Sequence, residues 1–149
     1  MRDIRKENST DPFTEARRYV ENAHDALRDH GKYNVETGGY EDSKYVKAAG
    51  HYLWSGVLIA LEAVFRVEEE KKKRKGEDNR VSVDDYTLAA SKRDRKLLRW
   101  VADGYRIMHL YMGYDGIQDK DVCMKGFQLA NNIIDKCGSM MVVRPLAGQ

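Results

Sequence analysis

Proline is almost missing from this chain. Pro12 and Pro145 are the only two, so the 132 residues between them carry no obligatory helix breaker. Cysteine is scarce too. Cys123 and Cys137 stand 14 residues apart in what reads as one helix, roughly 21 Å along its axis, too far to pair. Two reduced, buried thiols are expected instead. Charge of one sign is also lacking: 26 Lys and Arg face 24 Asp and Glu, which excludes a whole-surface footprint for nucleic acid and leaves any basic surface local. No run of consecutive residues approaches the ~20 apolar positions of a membrane span, and Met1–Lys6 has no apolar signal core. The expectation is a cytoplasmic protein with no membrane role.

Catalytic signatures are missing as well. There is no Gly-x-Ser-x-Gly elbow, no Gly-x-Gly-x-x-Gly turn and no Walker-type loop. A metal site in a bundle would need a His/Glu pair three or four residues apart on each of two facing helices, and the sequence does not supply two. Neither metal nor cofactor is expected. The cysteines fall away from the histidines in the expected layout, so a thiol nucleophile is not expected either.

What is present is helical periodicity in a chain of 149 residues, the size of one domain. Residues 1–10 are polar and aperiodic and read as a disordered arm. Asp11-Pro12 then starts a helix, with Phe13, Ala16, Val20, Ala23 and Leu27 along one face and Gly31 as its stop. The stretch Gly31–Glu41 reads as a loop. From Asp42-Ser43 a second helix carries two apolar stripes: Val46, Ala49, Leu53, Gly56/Val57, Ala60 and Val64 on one side, Trp54, Leu58, Leu61 and Phe65 nearly opposite. Such a helix must be covered on both faces, either at the centre of a bundle or at a dimer face. It is expected to run on to Lys75, with Glu68–Lys72, Glu69–Lys73 and Glu70–Arg74 pairs, and to end at Gly76.

Ser82–Asp85 caps a short third helix through about Ala90, and Ser91–Asp94 caps a fourth with the stripe Leu97, Val101, Gly104, Met108, Tyr111. Leu98, Tyr105 and Met112 widen that stripe, and the helix stops at Gly113–Gly116. A fifth helix, about Asp119–Cys137, buries Val122, Gly126, Leu129, Ile133 and Cys137, and Gly138 is its expected stop. The expected fold is all-α: an antiparallel up-down bundle of four long helices plus one short, spanning 11–138, with a tail at 139–149.

Alternating helix directions would bring the Gly31–Glu41 loop and the Gly113–Gly116 turn to one end of the bundle. That half then holds His24, His30, His51 and His109, with Tyr33, Tyr40, Tyr45, Tyr52, Tyr105, Tyr111 and Tyr114. Such side chains offer stacking faces and hydrogen-bonding tips, so His51, His109, Tyr40, Tyr111, Tyr114 and Asp115 are the candidate binding residues. The bland alternative is that tyrosines merely close the end of the bundle.

The helix Lys44–Leu61, with Gly50-His51-Tyr52-Leu53-Trp54 at its centre, and the segment Met108-His109-Leu110-Tyr111-Met112-Gly113-Tyr114-Asp115-Gly116 resemble a family of uncharacterised short bacterial helical proteins best represented in Bacteroidetes. The resemblance runs from about Pro12 to Cys137. More loosely, the same helices resemble the HEPN superfamily of antiparallel bundles, which includes metal-independent ribonucleases and non-catalytic partners of nucleotidyltransferases. In its ribonucleases an Arg and a following His are separated by four to six intervening residues. His109-Leu110-Tyr111 matches the histidine end, whereas Arg106 has only two residues before His109 and Arg99 has nine. The first reading is therefore a non-catalytic interaction module, expected to be a homodimer, binding a small ligand, a nucleotide or a protein partner. The alternative is a HEPN-type ribonuclease using His109 with Arg106, which would add nucleic acid as a partner.

Overall fold

The computed structural model describes residues 11–74 and 80–147, with side chains through Met141. The expected arm at 1–10 and the helix end at Gly76 lie outside the described residues. The fold is all-α, with one two-residue hairpin.

Helix α1 spans Pro12–His30. Asp11 caps it, its carboxylate accepting from the amides of Phe13 and Thr14 at 3.1 Å, and Pro12 occupies the first turn where no donor is needed. Ala16, Val20, Ala23 and Leu27 are buried, the face that the spacing predicts. After Gly31 the expected loop contains a hairpin, β1 Tyr33–Asn34 against β2 Gly39–Tyr40. Asn34 organises its turn by accepting from the amides of Glu36 and Thr37, and Gly38 takes the positive φ of 73° that the turn requires.

Helix α2 spans Ser43–Phe65 and starts at Asp42, which accepts from the Lys44 amide. It is long and apolar enough by length and mean hydropathy to cross a membrane, which a count of consecutive apolar residues misses. Val46, Ala49, Leu53, Val57, Ala60 and Val64 are buried, as are Trp54 and Leu61 of the second stripe. Other helices of the same chain pack on both faces, so α2 is the central helix, with Leu58 and Phe65 of its second stripe half-buried.

The helix does not run on to Lys75. Arg66 adopts a left-handed conformation (φ 54°) and breaks it. A separate helix α3, Val67–Lys72, begins with the Glu68 amide donating to the Glu62 carboxylate at 2.9 Å. The bend changes the charge pairing. Arg66 meets Glu69, Lys73 meets Glu70, and Lys71 reaches Asp85 at 2.8 Å, tying α3 to the next helix.

Helix α4, Val83–Ser91, opens with the expected capping box, Ser82 and Asp85 each bonding the other's end. Helix α5, Arg95–Gly104, is capped by Asp94, which accepts from the Leu97 amide at 3.0 Å and pairs with Lys136 at 3.0 Å. It then passes without a stop into a π-helical segment, Tyr105–Tyr114. One expected stripe position is corrected: Met112, expected to widen the stripe, is buried one turn after Met108, whereas Tyr111 turns outward, 37% exposed.

Helix α6 spans Lys120–Ala147, Asp119 capping it by accepting from the amides of Asp121 and Val122. Cys123, Leu129, Ala130, Ile133, Ile134 and Cys137 are buried, Cys123 rather than Val122 leading the stripe. The expected stop at Gly138 does not occur. Positive φ among the glycines is confined to Gly38 and Gly116 in the described residues, so Gly138 is an ordinary helical residue packed beside Phe13. Met140 and Met141, just beyond it, pack against the core.

Candidate functional site

The loop after α1 and the turn before α6 do meet, as alternating helices require. The Tyr40 amide donates to the Gln118 carbonyl at 2.8 Å, the Lys120 amide to the Gly38 carbonyl at 3.0 Å, and the Gln118 side chain to the Glu41 carbonyl at 2.8 Å. These bonds fix the hairpin against the start of α6. Between them and the end of α1 lies a cavity of about 610 Å³, within the range of small-molecule pockets.

Its walls are aromatic and its rim is cationic. His24 stacks on Phe127 with ring centroids 3.9 Å apart, and Tyr33 leans on Tyr40 at 5.6 Å. Lys120 places its ammonium 5.2 Å over the Tyr33 ring. Lys32 sits in a left-handed conformation (φ 56°), a strained backbone that projects it from the end of α1. Neither lysine has an ion-pair partner among the described residues, whereas Arg28 is engaged by both Asp25 (2.8 Å) and Asp29 (3.0 Å). The Arg28 hydrogen bond holds the Asp29 carboxyl below its usual range. The first amides of α6 are already taken by Asp119, so the two lysines are the groups left to meet an anion.

Cys123 lines this cavity together with His24, which corrects the layout expected from the sequence. It gains no reactivity from that. Burial pushes its thiol up to about 11, and the sulfur lies 3.8 Å from the Ile117 carbonyl. Burial likewise raises the Tyr40 phenol, with the Cys123 and Tyr33 groups adding to the effect.

A second cluster stands on α2 and the π-helical segment. The rings of His51 and His109 lie 6.4 Å apart, Tyr105 stacks on His109 at 5.1 Å, and Trp54 meets Tyr105 edge-on at 5.6 Å. Close approach makes this possible: Gly50 faces the backbone of Met108 and Gly113, with the His51 ring lying beside Gly113. Burial, then the proximity of His51, depresses the basicity of His109. Its Nδ1 is buried without a hydrogen-bond partner.

The six candidate residues therefore do not form one site. His51 and His109 come together, Tyr40 belongs to the loop-end cavity, and Tyr111, Tyr114 and Asp115 are exposed on the turn, Tyr114 at 77%. Arg106 is exposed and bonds Asp103 at 2.9 Å. Sequence reasoning overlooked Lys32, Lys120 and Phe127. Two of these flank the glycines and the helix start that shape the cavity, a signal the sequence did carry.

The family model described as Domain of unknown function (DUF5618) matches residues 11–139. A solved structure of a protein of unknown function from Dyadobacter fermentans is 39% identical and superposes with a TM-score of 0.75, covering 87% of this chain and 95% of that one. No curated protein matches.

Proposed function

We propose that this chain, which belongs to the Domain of unknown function (DUF5618) family, is a non-catalytic module that binds a small planar anion at the loop end of its bundle. The observation that carries this reading is the 610 Å³ cavity, where aromatic walls meet two lysines without acidic partners. A flat ring gains from stacking between His24–Phe127 and Tyr33–Tyr40, and a phosphate or carboxylate gains from Lys32 and Lys120. The Cys123 thiol that lines the cavity is held protonated by burial.

Adenosine monophosphate and phenyl phosphate are suitable probes, with adenosine as the uncharged control. The anionic compounds raise the melting temperature of the wild type at millimolar concentration, adenosine raises it less, and Lys32→Glu with Lys120→Glu abolishes the shift. If the double variant keeps the full shift, or no planar anion produces one, the reading is wrong.

A HEPN-type ribonuclease is the second reading, and one observation favours it: a depressed His109 is uncharged and able to accept a proton near neutral pH. Arg106, its suggested companion, is engaged by Asp103. Cleavage of transfer RNA by wild type and not by His109→Ala would support this reading; uncleaved RNA would end it.

A further inference from the structure

Behind His109, on the side of α3 and α4 and away from the loop end, lies a second cavity of about 260 Å³. Three aromatic residues line it: Trp54 from α2, Tyr86 from α4 and Tyr105 from the π-helical segment. Trp54 and Tyr105 pack edge-on against each other where they border it, with centroids 5.6 Å apart and planes at 64°. Glu68 of α3 lines the same space, and its carboxylate has no partner among the described residues. Behind Tyr86 stands a second acid, since its hydroxyl donates to Glu62 at 2.9 Å. Ser82 and His109 also line the cavity, and the unpartnered Nδ1 of His109 is itself buried.

These features select a ligand by charge. Aromatic faces carry negative quadrupole potential and attract a cation whose hydration is weak. Two carboxylates deepen that potential. The Tyr86 phenol registers it, being raised by burial first and then by Glu62, Glu68 and Asp85. No Lys or Arg lines the cavity, and His109 is disposed to stay neutral, so no protein cation competes for the space. The volume is below that of most ligand pockets, which excludes a nucleotide or an extended metabolite.

We propose that this cavity is an aromatic cage for a small organic ammonium ion. Its alkyl groups pack against Trp54, Tyr86 and Tyr105, and Glu68 balances the charge. A methylated amine satisfies these groups together. The site is separate from the loop-end cavity and does not depend on the function proposed for it.

Titration calorimetry of the full chain with trimethylammonium chloride tests the assignment, with tert-butyl alcohol as a neutral compound of similar size and Trp54 fluorescence as a second readout. Trimethylammonium binds, tert-butyl alcohol does not, and Glu68→Gln or Tyr105→Leu each weakens binding by about tenfold. Glu68 is exposed, so its variant folds even if Tyr105→Leu does not. Equal binding of the neutral compound, unchanged affinity in Glu68→Gln, or no heat and no fluorescence change with trimethylammonium would each overturn the proposal.

Discussion

Replacing Gly50 with alanine probes the contact on which the second cluster rests. At Gly50, α2 approaches the π-helical segment so closely that an added Cβ would lie 2.5 Å from the Gly113 amide nitrogen, 2.5 Å from the Met108 carbonyl oxygen and 2.7 Å from the Met112 Cβ. Two of those atoms are backbone, so no rotamer change relieves the clash and the two segments must separate. Overpacking of a filled core costs about 1–3 kcal/mol, and a backbone clash belongs at the upper end. Alanine returns about 1 kcal/mol through its better helix propensity. The net loss is therefore about 2 kcal/mol, which for a domain of this size lowers the melting temperature by about 4–8 °C.

Gly138→Ala is the matched control. It is also helical, but its added Cβ would lie 3.8 Å from Phe13, in ordinary contact, so propensity alone operates. That variant gains up to about 1 kcal/mol and melts a few degrees higher. Thermal unfolding followed by circular dichroism, checked by urea titration for an unchanged slope, measures both. A Gly50→Ala protein that melts at or above wild type would refute the close approach and, with it, the positioning of His51 beside His109.

Two further outcomes follow from ionisation. The folded His109 is depressed below its ordinary value of 6.5, so the unfolded chain takes up the proton first: stability is full above about pH 6.5 and falls as pH drops towards the folded-state value. His51 and Glu68 face this group as well, and urea midpoints between pH 5 and 8 should fall less steeply for His109→Gln than for wild type; identical profiles would remove His109 from the account. Burial raises Cys123 to about 11 and Cys137 to about 12, so neither reacts with an aromatic disulfide reagent at pH 8 until the chain is unfolded, and rapid labelling of the native protein would contradict their placement.

The helices were legible because their signals are local. Asp11-Pro12, Asp42 and Ser82–Asp85 cap where their residue types predict, and the α1 stripe, the first α2 stripe and Trp54 and Leu61 of the second are buried as the spacing requires. Local signals failed where competing contacts chose the backbone. Arg66 breaks a segment rich in helix formers because α3, once turned, joins Lys71 to Asp85 and the Glu68 amide to Glu62. Gly138 looks like a stop but lies within the packed length of α6. The π-helical register carries no composition of its own, so the change of helix type at Tyr105 could not be seen from apolar spacing, although that spacing does place Met112 on the buried face.

The candidate residues show the same division. Composition picked out one half of the molecule as rich in His and Tyr, and chain direction alone brought its loop and turn together. Which of those rings share a cavity depended on angles and crossings set by Gly50, Gly113 and the hairpin. Lys32 and Lys120 are 88 positions apart in sequence and acquire a common role only when the hairpin bonds to the start of α6. By itself, then, the sequence determined the class of fold, the helix starts and the buried faces, since capping and amphipathic spacing act over a few residues. Only tertiary structure decided the broken and widened helices and the two separate cavities, because these follow from contacts between segments that no local pattern encodes.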